Sequence, residues 1–309
     1  MNTSGPSRPA AQSVTAHPLT AQGKLLLVWA AAVLVVLGMV TTAVVRTGPE
    51  PRTGFLAAVE SQWEEPPAEA APAPEAPRPA VDLDTVDAGI SRILAENAGY
   101  RIGVVLADTH GGEPRSYGDG TEFVAASTAK IITAAAYYHL VETGEKKLDV
   151  PLGSYDAQFQ LQAMVNASSN DAWLLLMQDI GYPELIEYAA SIGISYDPEE
   201  NLLTAAEMAS VLTQLSAGTL LNAEHTQELL GYMQKTNNER LIPAAVGPDI
   251  TVQHKYGELE GYVHDAALLT RGEHSFALTI YTWGEDGESE ERLAAIHQLT
   301  DVVATALRG

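Results

Sequence analysis

The longest apolar stretch of the chain runs from Leu25 to Val45, 21 residues without a charge between Lys24 and Arg46. As a helix it would measure about 31 Å, which is enough to cross the hydrocarbon core of a bilayer. A cleaved signal peptide usually has a shorter apolar region. We therefore predict a transmembrane signal-anchor over residues 24–46.

The segments on either side of this span have the composition of disordered chain. Residues 1–23 are rich in Ser, Thr, Pro, Ala and Gln, with Arg8 as their only formal charge. Residues 47–80 contain eight prolines and repeated Ala-Pro and Glu-Ala pairs. Such sequences have too little apolar surface to fold and tend to be extended. They predict a disordered tail at 1–23 and a linker at 47–80 that holds a folded domain, residues 81–309, away from the membrane.

Within this domain the period of the apolar positions changes twice. Helical spacing predicts a first helix over 84–97, and a strand at 100–107 with a returning strand at 113–118 follows. Helical patterns come next, and alternating patterns return near the end, before a closing amphipathic helix at 289–307. The first of the middle helices is predicted to begin at Ser127, and four more are predicted over 172–178, 183–191, 205–215 and 223–235. The late strands are predicted over 251–257, 261–269 and 275–283. This order predicts an α+β fold, with an antiparallel sheet flanked by the terminal helices and an all-helical subdomain.

Composition narrows the choice of compartment and partner. The chain has no cysteine, so it uses neither disulfides nor thiolate ligands. Its formal net charge is −23, and residues 81–309 hold 12 Lys and Arg against 34 Asp and Glu. So acidic a domain repels a phosphate backbone, and we expect no nucleic-acid partner. An acidic, cysteine-free domain behind an apolar anchor predicts a single-pass protein of the cell membrane with its domain extracytoplasmic.

Ser127-Thr-Ala-Lys130 opens one of the predicted helices and offers candidate chemistry. Residues three apart in a helix lie on the same face. A serine hydroxyl is a poor nucleophile at neutral pH unless a base removes its proton, and a lysine is such a base when burial or a second cation lowers its pKa. The unpaired N–H groups at a helix start also point to where an oxyanion would form. The alternative is a capping serine followed by a solvated lysine.

Two further short motifs follow in chain order. Ser168-Ser-Asn170 lies in a loop before a helical pattern, and Lys255-Tyr-Gly257 ends a predicted strand. Each has a structural alternative, since Ser and Asn cap helices and a lysine on an edge strand prevents aggregation. If the motifs meet, two neighbouring lysines would lower each other's pKa, which helps one of them to act as a base.

Ser-x-x-Lys, Ser-x-Asn and Lys-x-Gly in this order resemble the motifs of the penicillin-recognising serine hydrolases, the family of class A β-lactamases and penicillin-binding D,D-peptidases. The resemblance extends over about residues 84–308 and includes the order of helices and strands. It implies that Ser127 attacks a carbonyl and becomes acylated, that Lys130 takes or relays its proton, and that Ser168 carries a proton to the leaving nitrogen. The substrate would be a β-lactam or a D-Ala-D-Ala-type peptide of peptidoglycan.

The same resemblance implies contacts with the substrate. Asn170 would hold the amide of the acyl side chain. Lys255 would lower local pKa values and attract the substrate carboxylate. The backbone N–H groups of the nucleophile and of Glu258, which follows Tyr256 and Gly257, would form the oxyanion hole.

The sequence departs from the family pattern in three respects. The gaps between the motifs are short. Tyr256 stands where the family usually has Thr or Ser, so a bulky ring replaces a small hydroxyl. Asp197-Pro-Glu-Glu-Asn201 resembles the Glu-x-x-x-Asn of class A β-lactamases, with Asp197 in place of the glutamate that activates the deacylating water, but most of the surrounding loop is missing. Asp197 is therefore either a deacylation base or a polar lead-in to the next helix, and we expect an acyl-enzyme that breaks down slowly.

Three histidines, His254, His264 and His274, recur every ten residues, one for each late strand. No carboxylate or imidazole pairs with them at ligand spacing, so we expect no metal and no cofactor. His264 and Asp265 look like a dyad, but neighbouring residues of a strand face opposite sides of the sheet, which favours a structural role. The alternative to an enzyme is a non-catalytic domain that binds the cell wall or acts as a scaffold while retaining the fold.

Overall fold

The computed structural model describes residues 81–285, 287 and 289–309, so the predicted tail, anchor and linker lie outside the described residues. Its helices are α1 Leu83–Glu96, α2 Lys130–Glu142, α3 Ala157–Val165, α4 Asn170–Ile180, α5 Tyr182–Ser191, α6 Ala205–Ser216, α7 Ala223–Tyr232 and α8 Glu290–Arg308. Its strands are β1 Arg101–Asp108, β2 Arg115–Gly118, β3 Phe123–Val124, β4 Pro151–Leu152, β5 Tyr155–Asp156, β6 Leu202–Leu203, β7 Thr251–Leu259, β8 Tyr262–Arg271 and β9 His274–Trp283. Short 3-10 turns at Ala126–Ala129 and Ile242–Ala245 precede α2 and β7.

Five strands form one antiparallel sheet in the order β2-β1-β9-β8-β7. The last strand of the chain therefore pairs with the first, which brings the two ends of the domain together in one sheet. β8 and β9 lie inside the sheet and are buried along most of their length. Burial on both faces calls for successive apolar residues, and both strands have them. β7 is an edge strand.

Two hydrophobic cores cover the two faces of this sheet. Leu278 and Ile280 of β9 pack with the core that α1 and α8 help to form, whereas Ala277 and Tyr281 belong to the core of the helical part. This division follows from the alternation of side chains along a strand. The terminal helices thus cover one face and α2 to α7 form the helical subdomain, which confirms the predicted α+β architecture.

The predicted elements agree with the observed ones to within a few residues, with some exceptions. α7 ends at Tyr232, three residues before the prediction. α3 is absent from the prediction, because its exposed glutamines and Phe159 blur the apolar period. The two-residue ladders β3–β6 and β4–β5 have no sequence pattern of their own. No helix in the described ranges is both long and apolar enough to cross a bilayer.

Candidate active site

Ser127 lies in the 3-10 turn that leads from β3 into α2. Ala126, just before it, has φ of 50°, an uncommon conformation for a residue other than glycine. The N-cap of α2 is Ala129, which makes no side-chain capping bond. The Ser127 hydroxyl is therefore not used as a cap, and the capping alternative is wrong.

Lys130 is fully buried directly behind this hydroxyl. Its Nζ donates to Ser127 Oγ at 3.0 Å, to Ser168 Oγ at 3.2 Å, to Ser168 O at 2.7 Å and to Asn170 Oδ1 at 2.7 Å. Burial lowers the pKa of Lys130 to about 8. A solvated lysine is thus excluded, and part of the population has a free amine near neutral pH.

The loop between α3 and α4 brings Ser168 and Asn170 to this amine. The residue that caps α4 is Ser169, whose Oγ accepts from Ala172 N at 3.2 Å. Ser168 has φ of 56°, which turns its side chain away from the capping position and toward the lysines. The capping alternative for Ser168 and Asn170 is therefore also wrong.

Lys255 is fully buried, although its strand is an edge strand. Its Nζ donates to Ser168 Oγ and to Tyr256 O, both at 2.9 Å. Burial, and secondly the charge of Lys130, lower the pKa of Lys255 to about 7. An edge lysine that prevents aggregation would have to be exposed, so this alternative is wrong.

These contacts connect the hydroxyl of Ser127 to that of Ser168 through one amine, and Ser168 to a second amine. Since both amines have a lowered pKa, each of them can be a free amine near neutral pH. The arrangement can take a proton from one hydroxyl and return a proton through the other.

Gly257 lies against the backbone of the nucleophile. A Cβ at this position would stand 3.0 Å from Ser127 N and 3.0 Å from Ala125 O. The absence of a side chain lets β7 approach the turn that carries Ser127. Glu258, the next residue, has an exposed side chain that accepts from Arg240 Nη2 at 2.6 Å and from Asn238 Nδ2 at 2.8 Å.

Tyr256 bends toward the lysine beside it. Lys255 Nζ lies 3.8 Å from the centre of its ring, and its hydroxyl donates to Asn237 Oδ1. Burial raises the pKa of Tyr256, although the neighbouring Ser168 hydroxyl works in the opposite direction. Sequence reasoning missed Asn237, since an asparagine in a polar loop has no distinguishing pattern.

Asp197 closes its own turn. Its Oδ1 accepts from Glu199 N at 2.8 Å, and its carbonyl accepts from Asn201 N at 2.8 Å. Among the described residues no carboxylate forms a hydrogen bond with Ser127 or Lys130. It is instead Asn201, whose role the sequence left unassigned, that donates to Ala126 O at 3.2 Å, and its own carbonyl accepts from Ala125 N.

Two of the late histidines, His254 and His264, form structural hydrogen bonds in and beside the sheet. His254 Nδ1 lies 2.8 Å from Asp265 Oδ1, and the negative charge of Asp265 raises the pKa of His254 against the opposing effect of burial. His264 accepts from Thr282 N through Nδ1 and donates from Nε2 to Val124 O at 2.9 Å, which holds the strand before the nucleophile. Burial lowers the pKa of His264 to about 4, so it is neutral. Asp265 therefore pairs with His254 and not with His264, in agreement with the expected structural role.

Among the described residues, no group of three or more His, Cys, Asp or Glu could bind a metal ion.

The described architecture and these side chains define a class of protein, serine hydrolases with an α+β fold and a lysine-rich site. Solved structures with the same fold include PBP-A, at 19% identity with 75% of this chain and 98% of that chain covered and a TM-score of 0.66. A mutant of PBP-A, an acyl-enzyme complex with penicillin-G, is 20% identical to this chain. The match covers 75% of this chain and 99% of that chain, with a TM-score of 0.66. A β-lactamase from Xanthomonas campestris pv. campestris is 24% identical. That match covers 74% of this chain and 100% of that chain, with a TM-score of 0.65. No curated protein matches the chain.

A family model described as the beta-lactamase enzyme family matches residues 85–307, most of the chain. The protein belongs to this family. It is a serine hydrolase that acts on amide bonds, and the resemblance inferred from the three motifs is confirmed.

Proposed function

We propose that Ser127 is the residue that becomes acylated, with Lys130 as its base. The supporting observation is the 3.0 Å hydrogen bond between Ser127 Oγ and a fully buried amine of lowered pKa. With Lys130 as a free amine, Ser127 Oγ bonds to the carbonyl carbon as its proton moves to Lys130 Nζ. The backbone N–H groups of Ser127 and Glu258 bind the oxyanion that forms.

Collapse of the tetrahedral intermediate breaks the C–N bond. Ser168 Oγ donates its proton to the leaving nitrogen and receives one from Lys130 or Lys255, which both touch it. Water then adds to the ester, which releases an acid and restores the Ser127 hydroxyl. Two buried amines in contact with catalytic hydroxyls are costly for a scaffold and useful to a hydrolase, which argues against a non-catalytic wall-binding role.

The substrate that we propose is a β-lactam or a D-Ala-D-Ala-type peptide of peptidoglycan, with Asn170 in contact with it and Lys255 acting on it through the Ser168 hydroxyl. The fold likeness to PBP-A, one mutant of which is an acyl-enzyme complex with penicillin-G, supports this class of substrate. We further propose that residues 24–46 anchor the chain in the cell membrane with its domain outside, since such a substrate lies there.

Acylation is tested with the full chain in detergent, incubated with penicillin G and followed by intact mass and peptide mapping. We expect one adduct on the Ser127 peptide, none in Ser127→Ala, and a loss of rate of at least about a hundredfold in Ser168→Ala. Ser169→Ala is the matched control, because it removes a helix cap at a cost of about 1 kcal/mol and leaves the lysines untouched. An adduct on another residue would overturn the assignment of Ser127.

Topology is tested separately with protease added to intact cells. We expect digestion of the domain without disruption of the membrane. Protection of the domain until the membrane is broken would contradict the proposed orientation.

A further inference from the structure

The phenol ring of Tyr256 covers the amine of the lysine next to it. Lys255 Nζ lies 3.8 Å from the ring centre, and its hydrogen bonds go to Ser168 Oγ and Tyr256 O. The lysine side chain has no exposed surface, whereas the tyrosine is half-buried. A ligand group that approached this amine from solvent would first have to displace the ring.

The ring is held by a bridge between three segments of the chain. Tyr256 donates its hydroxyl proton to Asn237 Oδ1, and Asn237 Nδ2 donates to Ala167 O at 2.9 Å. The backbone N–H of Asn237 donates to Asn166 O at 3.3 Å. The bond from Nδ2 to Ala167 O orients the side-chain amide of Asn237, so that Asn237 Oδ1 faces the phenol. The bridge therefore joins β7 to the loop that carries Ser168.

The other cations at the site already have partners. Lys130 Nζ contacts the two serine hydroxyls, a backbone carbonyl and Asn170 Oδ1. Arg240 Nη2 lies 2.6 Å from Glu258 Oε1, which also accepts from Asn238. An anionic group that entered here would find each of these cations already engaged.

We propose that Tyr256 and Asn237 make this site select acyl donors without a carboxylate on the side of the scissile bond that faces β7. The inference rests on the proposed function of Ser127 and narrows its substrates: among donors of the β-lactam or wall-peptide type, the site prefers those whose carboxylate is masked as an amide or ester. A carboxylate placed there would lose hydration without gaining a cation that is free of hydrogen-bond partners. An uncharged group would instead pack against the phenol face.

A matched pair of probes isolates this charge. Penicillin G and its methyl ester differ only in the free carboxylate. The second-order rate constant for acylation of Ser127 in the full chain is measured by intact mass for both compounds, and each is divided by the rate at which the compound opens in buffer. The ratio of the two quotients, acid over ester, then reports what the protein contributes to recognition of the carboxylate.

We expect an acid-to-ester ratio near or below one in the wild type, and a rise of about tenfold or more in Tyr256→Thr, which uncovers Lys255. Tyr256→Ser tests the same effect if the Thr variant does not fold. Tyr256→Phe keeps the ring but loses the bond to Asn237, so its ratio should lie between those of the wild type and of Tyr256→Thr.

Three results would overturn the inference: a wild-type ratio above about ten, an unchanged ratio in Tyr256→Thr and Tyr256→Ser, or a selective loss of the acid in Tyr256→Phe. The last would mean that the hydroxyl itself binds the carboxylate. In each of these cases acylation of Ser127 still stands. Absence of any adduct would instead overturn the proposed function, and this inference with it.

Discussion

At the scale of single residues, the site is defined by two fully buried amines whose pKa values are lowered to about 8 for Lys130 and about 7 for Lys255. An exposed lysine is protonated at neutral pH and cannot accept a proton from a hydroxyl. Burial is therefore the physical change that turns Lys130 into a base for Ser127.

The pH dependence of acylation follows from these values. A base must be a free amine, and the fraction of free amine rises as the pH passes from 6 to 8. We expect the second-order rate constant for acylation by an uncharged probe to rise about tenfold or more over this range and to level off above the higher pKa.

The measurement is the rate of adduct formation on Ser127 by intact mass at each pH, corrected for opening of the probe in buffer. Lys130→Arg, whose guanidinium keeps its charge, serves as the control and should remain slow at every pH. A wild-type rate constant that is flat between pH 6 and 8 would mean that neither lysine is the base.

At the scale of elements, the approach of β7 to the turn before α2 decides the geometry around the nucleophile. Gly257 has backbone atoms of Ala125, Ser127 and Thr128 within 3.0 to 3.1 Å of the place where a Cβ would be. Thr128 Oγ1, fully buried, fixes the turn from the other side by contacts with Ala125 O and Tyr281 OH at 2.7 Å each. The turn therefore cannot yield without moving Ser127.

We expect Gly257→Ala to displace the turn by a few tenths of an ångström and to slow acylation by roughly ten- to a hundredfold. Gly231→Ala in α7 is the control, because a Cβ there meets no atom within 4 Å and alanine favours a helix. The acylation rate and thermal unfolding of both variants are compared with the wild type. Equal acylation rates in all three proteins would contradict the proposed role of this approach.

The contacts within the turn between α5 and α6 lead to a second prediction at this scale, which concerns the rate at which the acyl-enzyme breaks down. The Asp197 carboxylate accepts from Glu199 N and has no hydrogen bond to Ser127 or Lys130. Loss of a positioned base typically costs about a hundred- to ten-thousandfold in rate. We therefore expect the penicilloyl adduct to persist for minutes or longer after removal of excess drug.

The adduct lifetime is measured by intact mass. In Asp197→Ala it should stay within about twofold of the wild type. Asn201→Ala, which removes the contact with Ala126 O, should slow acylation instead. Rapid turnover of penicillin that is lost in Asp197→Ala would restore Asp197 as the deacylation base.

At the scale of the whole molecule, burial of the Lys255 amine in the site lowers the free energy of unfolding. The pKa of Lys255 is about 7 in the folded state against 10.5 for an unperturbed lysine. Between these values the unfolded chain binds about one more proton than the folded chain, so this group makes the free energy of unfolding rise with pH, by about 1.4 kcal/mol per unit.

Lys255→Met should therefore lower the slope of unfolding free energy against pH between about 7.5 and 9.5 by roughly this amount, and it should abolish acylation. The free energy is measured by urea unfolding at each pH, with Lys147→Met, an exposed lysine, as the control. If Lys255→Met keeps the wild-type slope, the buried amine does not titrate in this range.

The sequence by itself determined the order of helices and strands and the three motifs of the site. The sheet has buried strands with long apolar runs, and the terminal helices have clear periods, so local pattern and tertiary environment agree. Thr204, a residue type that favours helix caps, precedes α6 and forms a capping box with Glu207. Elements of two residues, and α3 with its exposed Phe159, have no such agreement and escaped prediction.

Only the tertiary structure decided which of several similar residues does what. Ser168 and Ser169 are adjacent serines, yet one touches both lysines and the other caps α4. Asp265 could have paired with His264 beside it, but the alternation of the strand gives it to His254 on β7. The pKa of a lysine depends on burial and on neighbouring charges contributed by distant segments. Those distances are set by how the sheet and the helical subdomain pack, and no local pattern encodes them.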